Sequence, residues 1–583
     1  MNKNTVAAFL LILVSVMFFT SPTYNKFYTE KILKKEYVPP QPKTVSEPVQ
    51  TEEKAINEDV KNDIKETSAE KEELRESTDI SLDSSETDVQ TDTIWIENDK
   101  IRVGVQTTGA LIVSIQMKEY TTIDQNRQNT LIDLLGKTES GAAQITIGNK
   151  SYDKIPFRYV SGEKRVVVNN KTRSLEFECE DNNGNLTKKI FELSKESYFI
   201  NLSIVKNSLP GERIRLGWDC GIVESEKTQK RNQAERKLVH FYNGDNVQHL
   251  QMKKIGVEET TGQYKWLGVT SKYFFIAINN DSLIDSDLKI TSIEEQSFGK
   301  MKTFNYALEM SKIAEKQRES YSIYAGPTKI GELKKHKVKY EKVLFPVIGW
   351  TKVFLWADRW FPILAEWTLL LLIAIQKIVK DYGVVIIILT IVTRVVTYPM
   401  THSSMKSMEK MKDIQPKVEK IRNKHKNNPQ KMNEEIMALY KKEGVNPLNP
   451  GCLPIFLQMP VFIALFVVLR KAIEIRGART FLIPWVKDLS QPEVLISLES
   501  ILPNGLPMYG SNVALLPIIM ALLTFFQQKM TIKDPNQQMM IYFMPIFMLV
   551  LFNSFPSGLV LYWTFSSAVQ LVQQIIMERA KKV

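Results

Sequence analysis

The sequence predicts an α-helical integral membrane protein of six spans, five of them in one bundle, that carries an exported all-β sandwich domain. Three observations lead there. Long apolar runs gather after residue 380, a strict alternation of apolar and polar residues recurs between 93 and 326, and lysine and arginine concentrate beyond residue 400. The first pattern is that of membrane helices, the second of half-buried strands, and the third fixes which loops face the cytoplasm.

Residues 1–20 have a basic start at Lys3 and about 14 apolar residues, which suits a cleaved signal peptide or a short anchor. No small-x-small pattern precedes Ser21, so an uncleaved transmembrane anchor is expected. Residues 21–92 read as a flexible acidic linker. Between 37 and 92 there are 16 acidic and 6 basic residues with almost no aromatics, so the segment lacks the apolar surface to order itself. From 93 to 330, runs such as Ile101-Arg102-Val103-Gly104-Val105 and Phe199-Ile200-Asn201-Leu202, broken by turns such as Asn182-Asn183-Gly184-Asn185, predict the β-sandwich. Cys179 and Cys220 are a possible bridge in an exported domain, and Cys452 starts an apolar helix. The five histidines form no i,i+4 pair and none lies in an apolar run, so neither metal nor cofactor is expected.

Residues 381–578 read as the membrane core, with runs at 383–400, 453–469, 513–526, 541–552 and 558–576. Two of these fall short of the roughly 20 residues a span needs, which implies local thinning or polar helix ends in a wet vestibule. The loop 401–449 carries eleven Lys/Arg and belongs in the cytoplasm, as do Lys529/Lys533 and the basic tail 579–583. Six spans satisfy all three with the β-domain outside, whereas a seventh at 359–380 inverts them. Residues 331–380 are therefore read as a connector and an interfacial amphipathic helix, with Trp356, Trp360 and Trp367 at the headgroups.

Arg394 lies within the run GVVIIILTIVTRVVTYPM, about 17 Å into a hydrocarbon layer of about 30 Å. A guanidinium there costs roughly 3 kcal/mol, and such residues face a bundle interior or a water-filled cavity. The competing account is snorkelling to the nearer surface. Against it, Thr390, Thr393 and Thr397 fall at i−4, i−1 and i+3, making a polar stripe with the arginine. In the last span Tyr562, Ser566, Gln570 and Gln573 or Gln574 repeat at helical spacing, with Trp563 one residue off that line. An interhelical hydrogen-bond seam accounts for that repeat equally well.

The cytoplasmic loop 401–449 predicts a helical hairpin. Met405, Met408, Met411, Ile414, Val418 and Ile421 form one stripe, and Asn428-Pro429 opens a second helix with Met432 and Ile436. Packing of the hairpin on itself is one reading. The other is a docking surface, since methionine faces adapt to varied apolar partners and lysines such as Lys420 suit RNA or anionic lipids.

From Trp360 to Lys582 the order of motifs resembles the YidC family of bacterial membrane protein insertases. The resemblance is carried by Thr393-Arg394 with Tyr398-Pro399, by Asn446-Pro447-Leu448-Asn449-Pro450-Gly451-Cys452-Leu453-Pro454 leading to Gln458-Met459-Pro460, and by Phe555-Pro556-Ser557-Gly558-Leu559-Val560-Leu561-Tyr562-Trp563. An anchor, a large exported β-domain and five further spans are similar to the members from bacteria with two membranes. The stretch from Tyr340 to Trp356 departs from the family pattern. The resemblance implies a hydrophilic groove open to cytoplasm and lipid but closed outside, in which Arg394 is the groove arginine, Gln528 (or its neighbour Gln527) a groove glutamine and Trp563 a groove aromatic. It also implies nascent membrane proteins as substrates. The Sec translocon with its accessory subunits, the ribosome and the signal recognition particle receptor are the implied partners, and no small molecule is.

No Walker A sequence, His-Glu-x-x-His or intramembrane Ser/His or Asp/Asp pair is present, which argues against an enzyme. The rival reading is a channel or secondary transporter in which Arg394 marks an anion pathway; no internal repeat supports it.

Overall fold

The computed structural model describes residues 91–122, 130–135, 141–169, 171–180, 184–225, 237–252, 254–298, 301–346, 357–425, 428–444, 453–498, 509, 512–532 and 538–580. The expected anchor 1–20 and nearly all of the linker lie outside these residues, as do Trp356 and Cys452.

Alternation becomes sheet in the N-terminal half. Strand Leu186–Ser194 buries every second residue between two antiparallel neighbours, Thr172–Glu180 and Phe199–Lys206, as the two-residue period of a one-sided strand requires. The longest strand, Phe274–Phe298, turns one hydrogen-bonded network back on itself: its first part pairs with Arg318–Pro327 and its second with Met301–Ile313. Trp218, Trp266, Tyr273 and Tyr324 fill the core. Tyr340, in a single helical turn after the last strand, is also buried there, and Trp266 Nε1 donates to the Val338 carbonyl at 2.8 Å. Cys179 and Cys220 are buried and unbridged, so the pairing considered from the sequence does not form.

Seven helices follow among the described residues: α1 (Ala357–Ile378), α2 (Tyr382–Lys424), α3 (Pro429–Lys442), α4 (Leu453–Lys471), α5 (Leu515–Thr531), α6 (Gln538–Phe552) and α7 (Ser557–Ala580). By length and composition Phe361–Ile378, Tyr382–Pro399 and Ser557–Met577 are long and apolar enough to cross a membrane, while Leu515–Met530 and Met539–Phe552 are shorter apolar helices. α1 buries Phe361, Ala365, Leu369 and Leu372 and leaves Ile363, Trp367, Leu370 and Leu371 exposed. It is apolar on two sides, so the interfacial placement expected from the sequence has only the charge parity of the loops behind it.

Candidate functional site

α2 is two-faced between Ile386 and Thr397. Stepping about 100° per residue, Ile391, Val392, Val395 and Val396 make one exposed apolar stripe, and Thr390, Thr393, Arg394 and Thr397 fall on the opposite side. The threonines satisfy their hydroxyls on their own helix: Thr390 Oγ1 donates to the Ile386 carbonyl (2.7 Å), Thr393 to that of Thr390 (2.9 Å) and Thr397 to that of Thr393 (2.9 Å). They line the arginine without competing for it.

The guanidinium reaches across to α7. Its Nε donates to Ser566 Oγ at 2.9 Å, and its Nη2 to the Ser566 carbonyl at 3.0 Å, to Ser566 Oγ and to Gln570 Oε1 at 3.3 Å. Ser566 and Gln570 stand one turn apart, so a single face of α7 supplies all these acceptors. Among the described residues no carboxylate lies within ion-pair distance of Arg394, and the residue is half-buried. Among the described residues, a positive charge is thus held by neutral dipoles without a counter-ion.

Other expected residues distribute around this pair. Tyr562 is fully buried one turn before Ser566, and its hydroxyl accepts from Gln458 Nε2 of α4. Gln458 is a member of the polar set that the helical-stripe reading missed, because it stands alone between apolar residues; the Gln-Met-Pro motif was its one signal. Trp563 lies beside Tyr562, its ring 5.1 Å from Phe462 of α4 and 5.3 Å from Phe552 of α6. Gln528 on α5 makes no hydrogen bond to Arg394, and its buried Oε1 has no partner among the described residues.

On the side nearer the β-domain the bundle is closed by the loop that follows α4. Asp381 caps α2 through Val384 N (3.0 Å) and also accepts from Thr480 Oγ1 (2.7 Å) and Phe481 N (3.0 Å). Burial raises the Asp381 carboxyl, but these hydrogen bonds outweigh it and hold the group below its ordinary value. Glu493 caps α5 through Leu515 N (3.0 Å) and Leu516 N (2.9 Å) and accepts from Trp485 Nε1 (2.6 Å). The Leu489 and Gln491 carbonyls accept from Gly558 N (2.9 Å) and Ser557 N (2.8 Å) at the start of α7. One loop therefore ties the N-termini of three helices. It also meets the β-domain, where Arg476 Nη2 donates to the Thr121 carbonyl at 2.9 Å, Ile330 N to Glu474 Oε1 at 3.2 Å, and Tyr273 and Ser490 hydroxyls lie 3.2 Å apart. Burial pushes the Glu474 and Asp488 carboxyls up.

At the opposite end α2 continues unbroken past Pro399 and Pro416, and α3 starts at Pro429 with Asn428 accepting from Lys431 N (3.2 Å). Ile414 and Val418 are buried and Lys417 pairs with Glu443 at 2.7 Å, so the two helices pack on each other. Lys420 is exposed and Met432 half-buried; Met405, Met408 and Met411 belong to α2, and their side chains lie outside the described residues.

In the β-domain His240 and His249 lie opposite each other, Nδ1 to Nδ1 2.7 Å, with His240 Nε2 2.9 Å from Thr270 Oγ1. A search at helical spacing misses this cross-strand pair. Burial holds His240 well below its ordinary value. Among the described residues no group of three or more His, Cys, Asp or Glu is arranged to hold a metal.

Comparison with known proteins assigns the two halves. The model of the YidC periplasmic domain matches residues 93–354, and that of the 60 kDa inner membrane protein matches 374–583. The membrane protein insertase YidC of Chlorobium luteolum is 32% identical over 503 residues, covering 82% of this chain and 81% of the relative. That of Chlorobaculum tepidum is 32% identical over 508 residues, covering 83% and 81%. A crystal structure of an active YidC insertase aligns over 82% of this chain and 92% of its own at 17% identity and a TM-score of 0.33, which adds nothing to the sequence relationship. The molecule is thus an inner-membrane protein with a mostly β-sheet periplasmic domain. The chain belongs to the YidC family of membrane protein insertases, proteins that move polypeptide segments into lipid and are not enzymes.

Proposed function

We propose that the polar face shared by α2 and α7 is the groove in which the insertase receives the hydrophilic segment of a nascent membrane protein. The observation that supports this most is that Arg394 has no counter-ion among the described residues. A guanidinium that, among the described residues, is held by Ser566 and Gln570 keeps the capacity to attract an arriving carboxylate or carbonyl, which a pre-formed ion pair lacks. Tyr562 and Gln458 extend the polar surface toward the periplasmic closure, Thr390, Thr393 and Thr397 line α2, and Gln528 and Trp563 stand on its flanks. A charge and water partway across shorten the unsolvated path of a polar tail, lowering its desolvation cost, while partitioning of the apolar helix into lipid drives release. No fuel enters the scheme.

In this reading six spans leave both termini and the α2–α3 hairpin in the cytoplasm. The hairpin meets arriving substrate, through the ribosome or the signal recognition particle receptor, with Met405, Met408, Met411, Lys420 and Met432 on the docking surface. Insertion proceeds alone or beside the Sec translocon and its accessory subunits, and anionic lipids balance the basic loops.

The test is in vivo insertion of two matched single-span substrates, one with tail carboxylates and one without. Arg394→Ala is expected to lower insertion at least fivefold for the acidic tail and little for the neutral one, and Arg394→Lys to retain most activity. Equal activity of the Ala variant on both, at normal protein level, returns the arginine to a structural role.

A further inference from the structure

The loop that closes the periplasmic side carries a second feature the groove does not use. Its turn Phe481-Leu482-Ile483-Pro484-Trp485-Val486 buries Ile483 and Val486 and turns the rest outward: Phe481 is 71% exposed, Leu482 36% and Trp485 37%, and Pro484 is exposed as well. The backbone that carries them is held in place. Phe481 N is bonded to Asp381, Leu482 N donates to Thr480 Oγ1 at 3.2 Å, Val486 N to the Ile483 carbonyl at 2.9 Å, and the indole nitrogen is fixed by Glu493. A side chain at Gly383 would sit 2.2 Å from Thr480 Oγ1, so the turn abuts the first turn of α2 with no gap. Arg479 and Lys487, exposed, bracket it.

We infer that this turn is a lipid-embedded wedge, seated in the outer leaflet of the bilayer at the boundary of hydrocarbon and headgroups. The inference rests on α2 crossing the membrane from Tyr382. Because Asp381 holds Phe481 at the level where that span begins, the exposed apolar side chains lie at the depth where aromatic residues form interfacial belts. The satisfied indole N–H with a part-exposed ring is the distribution such a boundary selects, and two flanking cations suit anionic headgroups. A rigid apolar turn facing water instead would be an unrelieved cost. Since the same loop ties the N-termini of α2, α5 and α7, its seat in lipid fixes the depth of the periplasmic closure.

The experiment uses the full chain in phosphatidylethanolamine/phosphatidylglycerol vesicles with dansylalanine placed singly at Phe481, at Val396 on the apolar face of α2, or at exposed Ile255 of the β-domain. Shallow nitroxide lipids are expected to quench position 481 at least threefold more than 255, with iodide showing the reverse. Quenching at 481 should rise with the phosphatidylglycerol fraction and lose that increment in Arg479→Gln/Lys487→Gln. Iodide quenching at 481 equal to that at 255, with 396 shielded, overturns the wedge and leaves the turn to a protein partner, while the insertase reading stands. Iodide access at 396 overturns the span itself and the wedge with it.

Discussion

Replacing Glu493 by alanine tests whether the periplasmic closure is held by its hydrogen bonds. The buried carboxylate accepts three of them, from Leu515 N, Leu516 N and Trp485 Nε1. The indole is part-exposed and finds water when released, so its loss contributes little. Leu516 N is buried and loses its acceptor outright, about 2 kcal/mol; Leu515 N is half-buried, about 1 kcal/mol; the vacated volume adds about 1 kcal/mol. The sum, about 4 kcal/mol, corresponds to a fall of roughly 3 °C in the unfolding midpoint of the detergent-solubilised 583-residue chain melting as one unit. Glu493→Gln keeps an accepting oxygen but turns a donor toward one of the N–H groups, and about half the loss is expected. Hydrogen exchange gives the local readout, since the amides of Leu515 and Leu516 should exchange faster while those of α2 are unchanged. A midpoint for Glu493→Ala within 1 °C of the wild type, with unaltered exchange at those two amides, refutes the reasoning.

Two further outcomes follow from the geometry. Lys189 is buried in the β-domain, donates to the Gly109 and Ala143 carbonyls at 2.9 and 2.8 Å, and is pushed down by burial to about 7. The unfolded chain therefore binds more protons than the folded one between about pH 7 and the ordinary lysine value, so stability should rise with pH across that window. Lys189→Met should flatten the rise in thermal midpoint, and an unchanged slope would show that the group titrates normally. Gly383→Ala drives a methyl into Thr480 and should lower the thermal midpoint by an amount equivalent to about 1–3 kcal/mol, with Thr480→Gly in the same chain restoring part of it; equal midpoints for wild type and Gly383→Ala would mean that the loop and α2 are not in contact.

Periodicity made the β-domain and the two helix faces legible. Alternation in Leu186–Ser194 is the burial pattern itself, and the spacings that put Thr390, Thr393 and Thr397 around Arg394, and Ser566 four before Gln570, are those that let α2 and α7 face each other. What stayed hidden has no period. Asp381, Thr480, Glu493 and Ser557 are scattered over 177 positions and each reads as an ordinary cap or turn residue, yet one loop assembles them into the closure. His240 and His249 stand nine apart, a spacing that only the hairpin register converts into contact. Gln458 looks like an isolated polar residue until α7 places Tyr562 against it.

The continuity of α2 has an electrostatic consequence. Its 43 residues make a rod of about 64 Å, more than twice the hydrocarbon thickness of about 30 Å. In the topology proposed above, with α2 starting at the periplasmic boundary and tilted like an average span, the helix leaves the far headgroups well before Lys420, Arg422 and Lys424, which stand roughly 20 Å beyond them. The Debye length at physiological ionic strength is about 8 Å. In that topology, lipid phosphates are screened from these three charges, which leaves anionic lipids to the basic residues nearer the membrane and the field at the tip of the hairpin to the solution.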